Sequence, residues 1–354
     1  MSGMSKRPVT VALVVPLHGP AQIYGPSCTL SARLAAEEIN EAGGLLGREL
    51  HLHIVDSAAR PHAVADEVDR LIATGRVDAV VGWHLSALRE VLARRIAGRV
   101  PYVFTALYEG GETTPGVFFT GETPASQLFP ALDWMAREVS TRRWFVVGND
   151  YSWPRRSAAA VRRYARDHRG VRIDGEAFVP LGADDFDEVM RRIERSACDG
   201  VLMLLVGRDG VAFNRRFADR GLDVPCARLA PLLDETMLRE SGVDACRDVF
   251  SAAGFFEALP TEDGLGFGAR YTARFGPDAP VLNSPGESCY EGLQLLAALV
   301  RRAGSTEIGR ICGTAEGTRY HGPRGEVALR GRHVGQQVYL ATADGPGFDV
   351  LASL

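Results

Sequence analysis

Short apolar runs alternate with segments of helical period along the first third of the chain. Runs rich in β-branched residues predict strands at 9–16, 50–55, 79–82 and 102–104. Apolar positions that recur every three or four residues predict helices at 29–40, 62–73 and 86–97. Strands that are apolar throughout and separated by helices are buried on both faces of a parallel sheet. The pattern therefore predicts a βαβ series with helices on each side of the sheet.

The same rhythm starts again after Thr120 and predicts a second α/β lobe. Strands are expected at 144–147, 171–178 and 201–206. Helices are expected at 125–138, 155–167, 186–196 and 210–220. In the last third, two helices follow each other at 262–275 and 285–303, and then two alternating stretches occur at 325–329 and 336–341. We expect these helices to return to the first lobe and the two stretches to form a terminal hairpin in the second.

The predicted fold class is α/β, with two doubly wound parallel-sheet lobes joined by a multi-strand hinge. A chain of 354 residues is longer than one hydrophobic core usually supports. The expected boundaries are 8–122 plus 256–324 for lobe one, and 123–255 plus 325–354 for lobe two. Several crossings of the chain between lobes would guide closure of one lobe onto the other as rigid bodies.

Composition and charge exclude several classes of function. The net charge of −4 gives no overall positive field, so direct binding to nucleic acid is not expected. No apolar run reaches 18 residues, so membrane insertion is not expected. After Lys6 and Arg7 the sequence passes directly into VTVALVVPL, which predicts a start without a secretory signal and a cytoplasmic location. A periplasmic or secreted protein whose signal had been removed would look the same, and that alternative stays open.

The chain lacks the common motifs of catalysis. It has no GxSxG elbow, P-loop or HExxH sequence, so we expect neither an enzyme nor a cofactor. His51 and His53 share one face of a strand without a third metal ligand nearby, and the six cysteines show no zinc spacing, so no metal is expected. The even number of cysteines permits disulfides, but the sequence favours reduced, buried thiols.

Candidate binding residues follow the ends of predicted strands. In VGWHLS (81–86), Trp83 and His84 follow a strand and Ser86 begins a helix. Ser86 either caps its own helix or faces the crevice in which α/β sheets bind ligands. The other candidates follow three further strands: Thr105, Ala106 and Tyr108; Tyr151 and Trp153; and Val206 and Gly207. Aromatic residues at such positions are typical of ligand walls.

Six strings of the sequence resemble the type 1 periplasmic binding proteins, and among them the branch that binds short amides and urea. These strings are VGWHLSALREVL, LYEGGETTPGVFFTGETP, VGNDYSWPRRS, VPLGADDF, LLVGRDGVAF and SPGESCYEGLQLL. The resemblance covers essentially the whole chain. In that branch the amide lies between the lobes, where a serine and a threonine of one lobe and tyrosines of the other hold it.

The resemblance assigns these roles to particular positions. The serine falls on Ser86, and the aromatics of the second lobe fall on Tyr151 and Trp153. The sequence departs from the branch at two positions in the first lobe. The threonine of the branch falls on Ala106, one position after Thr105. A tyrosine of the branch falls on His84.

The resemblance implies a sensor that closes around a short amide or a similar small polar molecule. Cytoplasmic members of the branch regulate amidase or nitrile hydratase operons by holding a separate regulator protein. The resemblance also implies a homo-oligomer formed by lobe surfaces. The alternative is the substrate-binding protein of an ABC transporter for urea, short amides or branched-chain amino acids, whose partner would be a permease.

Overall fold

The computed structural model describes residues 7–354. The prediction of a start without a secretory signal rests partly on Lys6, which lies outside the described residues. Strands and helices are numbered in chain order below.

The first lobe contains an eight-stranded sheet with the order β11-β12-β13-β5-β4-β3-β1-β2. Its strands are β1 (Val9–Val15), β2 (Leu50–Asp56), β3 (Ala79–Gly82), β4 (Tyr102–Phe104), β5 (Val117–Phe119), β11 (Arg319–Gly322), β12 (Gly325–Arg330) and β13 (His333–Gly335). The five N-terminal strands are parallel, and the chain returns to β5 through β13. The apolar runs of β1, β3 and β4 are buried because helices cover both faces of the sheet.

The second lobe contains a seven-stranded sheet with the order β15-β14-β10-β9-β8-β6-β7. Its strands are β6 (Arg143–Asn149), β7 (Arg172–Val179), β8 (Gly200–Leu204), β9 (Ala227–Leu229), β10 (Val249–Ala253), β14 (Tyr339–Asp344) and β15 (Gly347–Ser353). The last two form an antiparallel hairpin beside β10. Two lobes with mostly parallel sheets confirm the predicted fold class.

Helices cover both sheets. Those of the first lobe are α1 (Gly25–Glu41), α2 (Pro61–Ala73), α3 (Ser86–Ile96), α9 (Glu262–Phe275), α10 (Ser284–Ala303) and α11 (Ile308–Thr314). Those of the second are α4 (Leu128–Trp134), α5 (Ser152–Asp167), α6 (Asp187–Ser196), α7 (Arg208–Asp219) and α8 (Glu235–Ser241). After α4 the chain makes one wide helical turn, Met135–Val139, so the predicted helix at 125–138 is shorter and irregular.

Helix α10 is the longest helix among residues 7–354, and its ends follow from its sequence. The Asn283 side chain accepts from the N–H of Gly286 at 2.8 Å and caps the first turn, where Pro285 cannot donate. Gly304 ends the helix in the left-handed region with φ of 59°. The helix packs on α1 and on β3 and β4, which fixes its first turn beside the ends of those strands.

The predicted assignment of 325–335 to the second lobe is wrong. β12 pairs with β11, with Val327 opposite Tyr320, and β13 continues the same sheet. Alternation of apolar and polar residues predicts a strand with one buried face, but it does not say which sheet the strand joins. The terminal hairpin does lie in the second lobe, but β14 and β15 form it. Within residues 7–354, no helix has both the length and the apolar character needed to cross a bilayer.

Candidate functional site

The two lobes meet at a cleft bordered by the carboxyl ends of four parallel strands. In the first lobe β3 ends at Gly82 and β4 at Phe104, and in the second lobe β6 ends at Asn149 and β8 at Leu204. The predicted site residues follow directly after these four strand ends. Open α/β sheets bind ligands at this edge.

The lobes contact each other, so the structure is a closed arrangement. The hydroxyl of Tyr24 in the first lobe accepts from the N–H of Gly207 in the second at 2.8 Å. The amide of Asn283 in the first lobe donates to Oγ1 of Thr236 in the second at 3.0 Å. Both hydrogen bonds involve groups at or near the start of a helix, and both would break if the lobes separated.

A small cavity lies between the lobes. Its volume is about 20 Å³, which is room for roughly one water molecule. Residues of both lobes form its wall: Trp83, Thr105, Glu287 and Ser288 from the first, and Leu233 and Asp234 from the second. We call this space the inner cavity.

A second and larger cavity lies beside the Trp83 ring. Its volume is about 300 Å³, and its wall includes His84 of the first lobe and Tyr151 of the second. Trp83 lines both cavities, and its ring centroid lies 4.6 Å from that of Tyr24. Trp83 therefore forms part of the wall of both spaces.

Two of the hydroxyl side chains that line the inner cavity, those of Thr105 and Ser288, lie next to each other. The Ser288 hydroxyl donates to the carbonyl of Pro285 at 2.8 Å and lies 3.2 Å from Oγ1 of Thr105. Because the Ser288 hydrogen is directed to Pro285, the Thr105 hydroxyl is free to donate to Ser288 or to a ligand. Thr105 thus offers a donor at the carboxyl end of β4, as expected from its sequence position.

Two buried carboxyl groups from opposite lobes face the same cavity. Oδ1 of Asp234 accepts from the N–H of Met237 at 2.8 Å and caps α8, whereas Oδ2 has no hydrogen-bond partner among residues 7–354. Oε1 of Glu287 likewise has none within this range, although Nε of Arg324 lies 3.5 Å away. Burial raises the pKa of Asp234 to about 7 and that of Glu287 well above its usual value.

The Arg324 guanidinium lies in a buried group of carboxylates beside the inner cavity. It contacts Glu291 and Glu287, and Glu122 lies 3.9 Å away. The hydroxyl of Tyr320 donates to Glu291 at 2.8 Å. Burial alone would raise the pKa of Glu291, but Arg324 outweighs it and lowers that pKa. Three carboxyl groups with one guanidinium leave this wall rich in hydrogen-bond acceptors.

Ser86 is engaged within its own lobe. Its hydroxyl donates to Glu109 at 2.8 Å and accepts from Arg89 at 3.1 Å. The interpretation of Ser86 as a helix cap is wrong, because Leu85 occupies the N-cap position of α3 and Ser86 is its first helical residue. A ligand that bound the Ser86 hydroxyl would have to replace its bond to Glu109.

His84 is neutral in this structure. The Tyr102 hydroxyl lies 2.8 Å from Nε2, and Nδ1 lies 3.2 Å from the carbonyl of Leu85. Because Nδ1 faces a carbonyl, it carries the ring proton and Nε2 accepts from Tyr102. Burial lowers the pKa of His84 to about 3, so the ring offers no charge to a ligand at neutral pH.

Several of the remaining predicted residues do not line the inner cavity. Tyr108 stacks against Phe119 and His333 within the first lobe and does not line the inner cavity. Three more are buried and line neither of the two cavities: Ala106, Trp153 and Val206. The cleft therefore brings together Trp83, His84, Thr105, Tyr151 and Gly207.

Sequence reasoning missed several residues of the inner cavity. Glu287 and Ser288 lie in the string SPGESCYEGLQLL, but they begin a helix far along the chain from the strands of the cleft. Asp234 follows no predicted strand, because β9 is only three residues long. Arg324 lies in the turn between β11 and β12. Within residues 7–354, no cluster of three or more His, Cys, Asp or Glu side chains is placed to hold a metal ion.

Comparison with known proteins connects this fold to binding proteins of small solutes. The chain is 25% identical over 315 residues to the Leu/Ile/Val-binding protein BraC3 of Rhizobium johnstonii, covering 87% of this chain and 83% of that one. It is 20% identical over 349 residues to the Leu/Ile/Val-binding protein homolog 3 of Brucella melitensis, covering 97% and 90%.

Solved structures share the architecture. The solute binding protein of an ABC transporter from Rhodopseudomonas palustris HaA2, in complex with p-hydroxybenzoic acid, matches with a TM-score of 0.86 and 19% identity, covering 98% of this chain and 96% of that one. The branched-chain amino acid transporter substrate binding protein LivJ of Streptococcus pneumoniae, in complex with isoleucine, matches with a TM-score of 0.83 and 16% identity, covering 98% and 99%.

The sequence model of the family described as periplasmic binding protein matches residues 8–347. This match spans nearly all of both lobes, and the two-lobed fold agrees with it. The chain belongs to the periplasmic binding protein family, whose members bind small molecules and are not enzymes.

Proposed function

We propose that this chain is the substrate-binding protein of an ABC transporter and that its ligand carries an N–H donor group next to a small apolar body. One observation carries the ligand class. Oδ2 of Asp234 and Oε1 of Glu287 come from opposite lobes, line one cavity, and lack hydrogen-bond partners among residues 7–354. A buried carboxylate oxygen without a donor destabilises the closed state, and a ligand N–H group would supply that donor and favour the ionised form of these carboxyl groups.

The other walls of the inner cavity complete the description of the ligand. Thr105 can donate to an acceptor at its polar end, such as a carbonyl or carboxylate oxygen. The side chains of Trp83, Leu107 and Leu232 offer apolar surface for a short hydrocarbon group. An ammonium group would bind more strongly than a neutral amide, since charge-assisted hydrogen bonds are stronger than neutral ones. Small amino acids and short amides both fit this description.

The volume of the inner cavity indicates how such a ligand enters. A space of about 20 Å³ is too small for an amino acid, so the ligand binds while the lobes are parted and Trp83 is displaced. Closure then follows because the ligand interacts with both lobes at once. The ligand stabilises the closed state only by its difference in affinity for the closed and open states.

The relatives support a role in transport over a role in gene regulation. Those named above are amino-acid-binding proteins and transporter components. The resemblance to cytoplasmic amide sensors, the regulator partner and the cytoplasmic location find no support among them. We therefore prefer the transporter alternative and an ABC permease as partner, which would place the protein outside the cytoplasm.

Calorimetry on protein freed of co-purified ligand tests the ligand class. The panel contains leucine and valine as ammonium donors, propionamide and urea as neutral donors, and 4-hydroxybenzoate as an anion without an N–H group. We expect heat from an ammonium or amide compound and none from 4-hydroxybenzoate. Binding of the benzoate alone would overturn the proposed ligand class.

A separate experiment tests the transport role. Deletion of the gene in its native host should abolish uptake of the labelled compound that binds in calorimetry, and a plasmid copy should restore it. Unchanged uptake, together with altered expression of neighbouring genes, would favour the sensor instead.

A further inference from the structure

Cys198 and Cys226 lie side by side in the second lobe, with their Sγ atoms 3.8 Å apart. Cys198 lies between α6 and β8, and Cys226 directly precedes β9. β8 and β9 are neighbours in the sheet, with Gly200 opposite Ala227. The register of two core strands thus brings the two thiols together, although 27 residues separate them in the loop that contains β8 and α7.

The distance between the sulfur atoms is short enough for a bond to form with small movements. A disulfide has an S–S distance of about 2.0 Å, so the atoms must approach by less than about 2 Å. The two side chains also differ in exposure: Cys198 is half-buried, whereas Cys226 is buried. A reagent in solution therefore meets Cys198 first.

The environment of Cys198 also favours its reaction. The hydrogen bond from the Cys226 thiol, helped by Ser196, lowers the pKa of Cys198 to about 7 in spite of burial. The same contact and burial raise the pKa of Cys226 far above its usual value. At neutral pH a large fraction of Cys198 is therefore thiolate, the form that attacks a disulfide.

We propose that Cys198 and Cys226 form a redox site that closes to a disulfide when it meets an external low-molecular-weight disulfide such as glutathione disulfide. The Cys198 thiolate attacks one glutathione sulfur, forms a mixed disulfide and expels glutathione thiolate. Cys226 loses its proton and attacks the sulfur of Cys198, which expels the second glutathione thiolate. Two protein thiols are oxidised, one external disulfide is reduced, and the two protons end on glutathione.

The bond would restrain the part of the second lobe that reaches the cleft. The closed loop contains β8 and α7, and Gly207 before α7 donates to Tyr24 of the first lobe. Cross-linking such a loop restricts the unfolded chain, so the oxidised protein should melt at a higher temperature than the reduced one. This site is independent of the ligand and of the proposed transport role.

Peptide mapping by mass spectrometry without reductant tests the proposal. Reduced protein is incubated with glutathione disulfide at pH 7.5, trapped with acid and digested. We expect a linked Cys198–Cys226 peptide, and a glutathione adduct that stays on the exposed, solitary Cys312. In Cys226→Ser the adduct should stay on Cys198, and in Cys198→Ser Cys226 should remain unmodified.

Thermal melting provides a second readout on the same samples. Oxidation should raise the melting temperature of the natural chain and leave that of Cys198→Ser unchanged. A lasting glutathione adduct on Cys198 of the natural chain, or two unmodified thiols after the exposed Cys312 has fully reacted, would overturn the proposal. The mapping of the natural chain decides the matter even if a serine variant folds poorly.

Discussion

Arg156 of the second lobe donates to Glu109 of the first lobe at 3.0 Å. The Glu109 side chain is buried and also accepts from Arg89 at 2.9 Å, whereas the Arg156 side chain is 57% exposed. Arg156 also lies 2.7 Å from Glu90 on α3. One residue of α5 therefore pairs with two carboxylates of the other lobe, and these pairs require the lobes to be closed.

Replacement of Arg156 should weaken ligand binding by loosening the closed state. Half-exposed ion pairs contribute about 0.5–1 kcal/mol, so we expect Arg156→Gln to raise the Kd roughly two- to fivefold by calorimetry. Arg155→Gln is the matched control, because Arg155 pairs with Asp150 of its own lobe at 2.8 Å. Equal effects of the two variants would show that the contacts between lobes do not stabilise closure.

The affinity for a ligand with an ammonium group should rise with pH. Burial raises the pKa of Asp234 to about 7 in the protein without ligand, so below that pH the carboxyl is mostly protonated. A bound cation lowers this pKa, and binding must then release a proton. Affinity therefore increases by up to about tenfold per pH unit below pH 7 and levels off above it. Calorimetry from pH 5.5 to 8.5 measures this slope.

Substitution of Asp234 identifies the group responsible for this pH dependence. Asp234→Asn keeps the side-chain acceptor that caps α8 but removes the ionisable group. We expect weaker binding with a flat pH profile and an intact fold. Asp187→Asn, at a half-exposed position on α6, should retain the slope. A slope that persists in Asp234→Asn would assign the proton to another group.

The sequence predicts the fold better than it predicts the site, for a physical reason. Strands such as β1 and β3 are apolar because both faces are buried, and this local pattern shows in the sequence. Which sheet a strand joins depends on partners far along the chain, and for this reason the sequence pattern alone places β12 in the wrong lobe.

For the predicted site residues too, local sequence does not show which distant residues a side chain contacts. Trp83 and Thr105, which the sequence selects by their positions after strand ends, line the inner cavity. Tyr108 comes four residues after the end of β4, and its ring stacks on Phe119 rather than lining the inner cavity. Asp234 is brought to the cavity by the fold of the other lobe, and no spacing within the sequence could indicate that contact.

Trp83 should report ligand entry by its fluorescence. Trp83 lines both cavities and its ring lies against Tyr24, so we expect a ligand larger than a water molecule to displace it. We expect ligand to change the intrinsic emission of the natural chain and the change to disappear in Trp83→Phe. Trp134→Phe, which alters a tryptophan of α4 outside the cleft, should retain the change. A change that survives in Trp83→Phe would place the ligand elsewhere.

Loss of the Arg324 guanidinium should destabilise the fold in a pH-dependent way. Arg324→Gln leaves Glu287 and Glu291 buried without a positive charge, which typically costs about 3–5 kcal/mol. Arg324 holds the pKa of Glu291 low in the natural chain, and in the variant burial raises it. When a carboxyl group has a higher pKa in the folded protein than in the unfolded chain, the protein loses stability as the pH rises above the pKa of the unfolded chain. The difference in unfolding free energy between natural chain and variant should therefore be larger at pH 8 than at pH 5 in urea titrations.

Arg319→Gln is the control, since Arg319 pairs with Glu326 at an exposed position and should change stability by less than about 1 kcal/mol at either pH. A pH-independent loss in Arg324→Gln would mean that Arg324 stabilises the fold through packing rather than through its charge.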